Sequence, residues 1–326
     1  TGRKCALGQA AAMTSSERTS TRLRLGTRRS PLAMAQAEET RRRLCQAHGW
    51  EESEVELVPV LASGDKVLDR PLAEIGGKAL WTKELDAWLH EGLIDAAVHS
   101  MKDVETLRPD WLTIAAILPR EDVRDVLVGA GSIADLAPGS RIGTSAPRRA
   151  AQLLHLRPDC SVVSFRGNVA TRLGRLEAGE ADATLLAAAG LNRLGESHVG
   201  IPLDLDQWLP APAQGAIGIE CNADDDATRA LIAAINDAPS RAQVMAERAL
   251  LAGLGGTCHS PIAVLCEFDD GQLAMRAAIF SPDGAERVED EMRFAAGDED
   301  APRALAAELL SRASPAIRQH FTGTAE

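Results

Sequence analysis

Residues 140–175 hold seven arginines and a single acid, Asp159, in a chain of formal net charge -12. Arg148 and Arg149 close the run G-T-S-A-P-R-R (143–149), and Arg166 and Arg172 lie in F-R-G-N-V-A-T-R (165–172). A guanidinium grips a carboxylate or phosphate through two parallel, charge-assisted hydrogen bonds. Each of these four arginines has a Gly, Thr, Ser or Asn nearby that can also donate to an oxyanion, so the pattern points to an anionic ligand with several charges. Arg141, Arg157 and Arg175 read instead as solvated surface. Asp103 follows an apolar run, and partial burial would raise it toward the working range of a general acid or base. On spacing alone, a solvated Lys102–Asp103 pair is the simpler reading. Cys258, in G-G-T-C-H-S-P (255–261), reads as a nucleophile or attachment point, or equally as a small buried thiol. His259 is discounted as its partner, because adjacent residues rarely bring their tips together, and His99 reads as a packed histidine. Of 35 basic residues only five are lysines, four of them between 66 and 102, a window suited to a compact ammonium with a shiftable pKa.

Elements must hold these residues in place. Both arginine runs follow short apolar segments, 141–142 and 161–164, that read as strands. Open α/β sheets bind ligands just past such carboxyl ends. Upstream, residues 22–25 alternate as a strand that breaks at Gly26-Thr27, and Pro31 opens a helix running into Arg41, Arg42 and Arg43. A strand at 55–61, a loop at Gly76-Gly77-Lys78, a helix at 82–91 with Leu85, Trp88 and Leu89 on one face, and a strand at 94–98 follow. The plan then echoes itself: L-G-T (25–27) leads to Ala35-Gln36 as I-G-T (142–144) leads to Ala151-Gln152. Likewise I-D-A-A-V (94–98) resembles A-D-A-T-L (181–185). Two similar α/β lobes with a cleft between them are expected, with helix N-termini facing the anion. A third unit starts near Ala238, where Ser240 and Gln243 read as a capping box for a helix ending at Gly253. Residues 262–268, 272–280 and 286–294 read as an antiparallel sheet joined at D-D-G (269–271) and P-D-G (282–284). A helix at 301–321, interrupted at Pro315, covers one face.

Bulk properties narrow the function. A chain of 326 residues supports two or three domains. Aromatics at 3% argue against base-stacking platforms, and the acidic balance argues against general nucleic-acid or membrane-surface binding. No apolar run approaches the roughly 20 residues of a membrane span. The six cysteines form no C-x-x-C pair and no metal-ligand spacing, which suits free thiols in a reducing cytosol and no metal site. Residues 1–21 read as a flexible polar tail.

The runs T-R-R-S-P-L-A (27–33), G-G-K-A-L-W-T-K-E-L (76–85), A-V-H-S-M-K-D-V (97–104), G-T-S-A-P-R-R (143–149), R-G-N-V-A-T-R-L (166–173), A-A-A-G-L-N-R-L-G (187–195), P-A-Q-G-A-I-G-I-E (212–220) and the Cys258 loop stand in one order. That ordered set resembles the porphobilinogen deaminase (hydroxymethylbilane synthase) family over roughly residues 23–320. The resemblance implies two periplasmic-binding-protein-like α/β lobes and a small α+β C-terminal domain with a three-stranded antiparallel sheet. The expected limits are 22–118 with 216–233 for domain 1, 122–211 for domain 2 and 238–326 for domain 3. It implies a cytoplasmic monomeric transferase of tetrapyrrole (heme) biosynthesis, which joins four porphobilinogen molecules head to tail into hydroxymethylbilane and releases ammonia at each step. A dipyrromethane cofactor would be held by a thioether at Cys258, and porphobilinogen with the growing polypyrrole chain would be the only partner. By the same carry-over Asp103 is the catalytic carboxylate. Lys102, Thr144, Ser145, Arg148 and Arg149 match cofactor-binding positions. Arg28, Ser30, Lys78, Arg166, Arg172 and Gln214 match substrate-binding positions, and Trp81 is the flap aromatic. The chain departs from the family pattern at Thr257, between the paired glycines and Cys258, at Ala146, where a second Ser is common, and at Trp81, where Phe is usual.

Overall fold

The computed structural model describes residues 21–60, 82–257 and 259–321. Lys78, Trp81, Cys258 and most of the expected polar tail lie outside the described residues. The strands, in chain order, are β1 (Leu23–Arg28), β2 (Val55–Val60), β3 (Ala96–Ser100), β4 (Leu112–Ile117), β5 (Asp125–Val128), β6 (Arg141–Gly143), β7 (Ser161–Val163), β8 (Ala183–Ala187), β9 (Ile201–Pro202), β10 (Ile217–Asn222), β11 (Ile262–Asp269), β12 (Gln272–Phe280) and β13 (Arg287–Ala295). They form sheets ordered β2-β1-β3-β10-β4, β7-β6-β8-β5-β9 and β11-β12-β13. In the first two sheets the strand in fourth place runs antiparallel to both neighbours, while the first three are parallel. The expected pair of similar α/β lobes is therefore present. The reversed strand comes from opposite ends: β10 follows the second lobe in sequence, whereas β5 precedes the rest of it. The chain accordingly crosses between lobes at 118–124 and again at 203–216.

The echo in sequence has a packing cause. A Cβ at Gly26 would stand 2.3 Å from Ile94 Cδ1, and one at Gly143 would stand 2.4 Å from Phe165. Each glycine lets an apolar side chain lie directly on its strand. Gly26 is thus not a strand end, and β1 continues to Arg28, opposite Val60. β3 also shifts from the expected 94–98. Asp95 is occupied by Arg24, accepting from its backbone N–H at 2.7 Å and its Nη2 at 2.6 Å. His99 and Ser100 then pair with Gly218 and Ile217 of β10. The helix Pro31–His48 starts behind Ser30, whose hydroxyl accepts from Ala33 N–H at 3.3 Å, and stops at Gly49 in the left-handed region.

The C-terminal unit packs the helices Ala238–Gly253 and Asp300–Arg312 on one face of the third sheet, with Leu250, Leu254, Val264, Met275 and Leu309 in its core. The expected capping box at Ser240 is not formed. Asp237 caps the helix by accepting from Ser240 N–H at 3.0 Å, which frees the Ser240 hydroxyl to accept from Arg120 N–H at 2.8 Å. Two turns further on, the buried carboxylate of Glu247 takes two bonds of 2.9 Å from Arg120, one of 2.6 Å from Ala213 N–H and one of 3.2 Å from Cys266 N–H. Arg120 and Ala213 belong to the two crossings, so a single carboxylate clamps both to the third unit. At the far end, a Cβ on Gly284 would come within 2.6 Å of Ala151 O, so the β12–β13 turn sits against the helix Pro147–Leu156. Among the described residues no helix is long and apolar enough to cross a membrane.

Removing one partner of a fully buried ion pair costs about 3–5 kcal/mol, because the other charge is left unpaired. Glu247→Ala is therefore expected to lower the urea midpoint and the melting temperature sharply. An unchanged midpoint would show that the crossings do not depend on this carboxylate.

Candidate active site

The cationic half of the cleft begins where β6 ends. Thr144 is buried and its hydroxyl accepts from Ala146 N–H at 3.2 Å, closing the turn that Ala146 cannot cap with a side chain of its own. Ser145 is exposed at the tip of this turn. Pro147 opens the helix, and its first turn carries Arg148 and Arg149, only 5% and 4% exposed. Neither is a solvated helix residue. Arg148 Nη2 lies 2.7 Å from Asp125 Oδ2 and its Nη1 donates to Leu209 O at 2.8 Å. Arg149 Nη2 donates to Asp125 Oδ1 at 2.7 Å and its Nη1 to Leu185 O at 2.8 Å. Asp125 also accepts from Trp208 Nε1 at 2.7 Å and from Gln214 Nε2 at 2.9 Å. Burial alone would raise the Asp125 carboxyl, but Arg148 and Arg149 outweigh it and hold the group far below the usual carboxylate range.

Arg172 sits in the helix Val169–Glu177, which Asn168 caps by accepting from Thr171 N–H at 2.9 Å. Its Nε donates to Gly167 O at 3.0 Å. Burial pushes its pKa down to about 10, with Arg149 and Arg166 adding to the effect and Asp103 opposing it. Arg141, Arg157 and Arg175 are instead paired at the surface with Asp182, Asp159 and Glu180.

The other half comes from the first lobe. β3 runs out at Ser100 into a tight turn, Met101–Asp103. Asp103 is half-buried and lines a small pocket with Arg28, Ser30, Gln36, His99 and Ser100. Gln36 and Ser100 are hydrogen-bonded to each other at 2.8 Å. His99 is packed, as expected, with Nε2 3.1 Å from the buried Glu220. Burial would raise Glu220, yet His99 and Arg108 hold it down to about 2. The Lys102 ammonium is pushed down to about 8, first by burial and then by Arg149 and Arg148, against the pull of Asp103 and Asp125. Lys102 and Asp103 of one lobe thus share an electrostatic neighbourhood with Arg148, Arg149, Arg166 and Arg172 of the other.

Two placements differ from a simple contact role. Gln214 gives its amide to Asp125 and to Val123 O, so it acts by holding Asp125. The Ser30 hydroxyl serves as a helix cap while lining the pocket. Asp125, Trp208 and Arg108 carry no signal in the local sequence, and Gln36 shows there only as part of the internal repeat. The one signal for Asp125 was indirect: arginines buried side by side need a buried counter-charge. Thr257, which separates the glycines from Cys258, accepts from His259 N–H at 3.2 Å, and its own N–H donates to Ser260 at 3.0 Å.

Two α/β lobes of one strand order bring the buried arginines of one near Lys102 and Asp103 of the other, an arrangement suited to a ligand that carries several negative charges. Comparison with known sequences identifies the family. Residues 23–230 match the family model "Porphobilinogen deaminase, dipyromethane cofactor binding domain", and residues 241–311 match "Porphobilinogen deaminase, C-terminal domain". A porphobilinogen deaminase from Sphingopyxis alaskensis is 55% identical over 92% of this chain and 96% of that one. One from Paracoccus denitrificans is 50% identical over 90% and 95%, and a chloroplastic one from Oryza sativa is 48% identical over 81% and 75%. The chain belongs to the porphobilinogen deaminase family.

The residues also fit the group this family holds. Arg148 Nε and Arg149 Nε are buried donors without a protein acceptor, and Lys102 is an ammonium under electrostatic stress; carboxylates would satisfy all three. Because its pKa is depressed, Lys102 loses its charge as pH rises through about 8 rather than 10.5. In the chain free of dipyrromethane, the Cε carbon signal of Lys102 should therefore titrate near 8, and Asp125→Asn should move the midpoint lower by removing an attractive charge. A midpoint at the ordinary lysine value would contradict this picture of the cleft.

Proposed function

We propose that this chain joins four porphobilinogen molecules head to tail into linear hydroxymethylbilane, releasing one ammonia for each ring, on a dipyrromethane primer held through a Cys258 thioether. The observation that carries the reading is the meeting of one carboxylate, Asp103, with buried cations drawn from both lobes. Porphobilinogen bears an acetate and a propionate, so primer and four substrates together bring about a dozen negative charges. Arginines on the second lobe and Lys102 and Arg28 on the first can pass those carboxylates between them as the chain lengthens.

Asp103 is the acid and base of the reaction. It protonates the departing amine as the C–N bond breaks, its carboxylate then faces the cation left on the substrate, and it takes the pyrrole proton once the new C–C bond has formed. When bound, the dipyrromethane supplies the free pyrrole carbon to which the first ring is joined. Lys102, Thr144, Ser145, Arg148 and Arg149 orient its carboxylates, with Asp125 and Gln214 fixing the two arginines. Arg28, Ser30, Arg166 and Arg172 receive incoming substrate, and Lys78 and Trp81 are assigned to the flap. Three domains, 22–118 with 216–233, 122–211 and 238–326, follow the three sheets and their separate cores. We assign the protein to the cytoplasm as a monomer without nucleic-acid or membrane partners, a reading supported by its acidic balance and by the free thiols of Cys45, Cys160, Cys221 and Cys266 among the described residues.

Intact-protein mass spectrometry tests the attachment. The purified chain should be heavier by two linked pyrrole units, and Cys258→Ser should lose that mass; an unmodified, fully active protein would sink the proposal. Asp103→Asn should carry the primer yet turn over at less than about a thousandth of the wild-type rate. Arg149→Leu should fail at primer assembly, whereas Arg172→Leu should load the primer and stall in elongation. Wild-type product formation by both arginine variants would place the cradle elsewhere.

A further inference from the structure

The backbone around Asp103 is irregular, a tight turn that ends at Asp103 followed by bends without a ladder of its own. It is held from outside. Arg248, on the C-terminal unit's helix and 7% exposed, donates Nη1 to Val104 O at 3.3 Å and Nη2 to Glu105 O at 2.6 Å and Thr106 O at 3.1 Å. A buried guanidinium whose hydrogen bonds go to consecutive carbonyl oxygens of one segment is a backbone clamp, because its planar fork fixes their relative positions. Burial lowers its pKa, the attraction of Glu220 opposes this, and Arg108 adds to the lowering, so the charge is retained at a cost that a surface arginine would not bear.

A second tie runs from the same segment. Thr106 Oγ1 donates at 3.1 Å to the carbonyl of Gly256, which stands two residues before Cys258. Gly256 is itself held, its N–H donating to Leu251 O at 2.9 Å. The loop beyond it is anchored through Ser260, whose hydroxyl takes Thr257 N–H at 3.0 Å and gives to His320 O at 3.0 Å.

We propose that Arg248 and Thr106 are positioning residues that lock the segment carrying the catalytic carboxylate to the loop carrying the attachment point, so that the third unit sets the distance between them. The inference rests on the roles of Asp103 and Cys258 given above. Neither residue touches the reacting atoms; both act through the backbone. Misplacement of a reacting group by about 1 Å costs on the order of 100-fold in rate.

The test uses Arg248→Gln, Arg248→Lys and Thr106→Val in the full chain. Amide exchange should quicken at 101–107 and 255–260 together in Arg248→Gln and Thr106→Val, with and without Cys258→Ser, while β5, β8 and β12 stay protected. Primer-loaded Arg248→Gln should lose about 10- to 100-fold in kcat with KM nearly unchanged, and Arg248→Lys should recover part of it. The double variant should lose less than the product of the single losses, since both ties restrain one element. Loaded variants with wild-type kcat and local exchange overturn the inference, as does exchange that rises equally everywhere. Should Arg248→Gln not fold, Thr106→Val, which removes one hydroxyl, decides by the same readouts. A wild-type chain without pyrrole mass overturns the attachment itself, an outcome distinct from loaded but unaffected variants.

Discussion

One buried carboxylate makes the cleft possible. Two unit charges about 4 Å apart interact by about 4 kcal/mol at an effective dielectric near 20, so neighbouring buried guanidiniums cannot be held without a counter-charge. Asp125 supplies it, one oxygen to each arginine, and its remaining acceptor capacity goes to Trp208 and Gln214. The arginines are thereby fixed by the protein's own groups, each guanidinium also donating to a backbone carbonyl. Trp208 and Gln214 lie on the crossing that returns to the first lobe. The residue that stabilises the two arginines therefore also ties them to that crossing.

Glu247 repeats the device on the same crossing, at Ala213 beside Gln214. It too is fully buried and binds one arginine, and its remaining bonds come from backbone N–H groups. The two carboxylates differ in balance. Asp125 faces two guanidiniums and is driven far below the ordinary range, whereas burial dominates at Glu247 and pushes it up against the pull of Arg120. The first is a fixed anion inside a cationic site, and the second is a structural node joining three segments. A chain of net charge -12 can present a strongly cationic cleft because most of its excess acid is elsewhere, and Asp125, which enters the cleft, is committed to Arg148 and Arg149.

Much of this was legible in the chain. The pairs Arg148-Arg149 and Arg166–Arg172 could be separated from surface arginines because each pair follows a strand and accompanies small, donor-bearing residues. The C-terminal sheet was marked by two Asp-Gly turns. What was not legible depended on distance in sequence. Asp125 reaches Arg149 across 24 positions and Trp208 across 83, and nothing in the local run distinguishes it from an acid at a strand start. Gly26 was read as a strand end because a glycine reserved for close packing looks the same in sequence as one that breaks a strand. At Ser240 two oxygens compete for one role. Asp237 and Ser240 both suit a cap, and only the presence of Arg120 N–H decides which turns away.

The place of β10 has a consequence for how the molecule is made. It lies between β3 and β4, yet it follows the whole second lobe in the chain. During synthesis the second lobe's sheet is complete once β9 has emerged, while β3 and β4 still have open edges waiting for a partner. Unpaired edges invite wrong pairing, and domains that finish late stay exposed to it longest. The half of the cleft that holds the arginines is thus assembled before the half that holds Asp103.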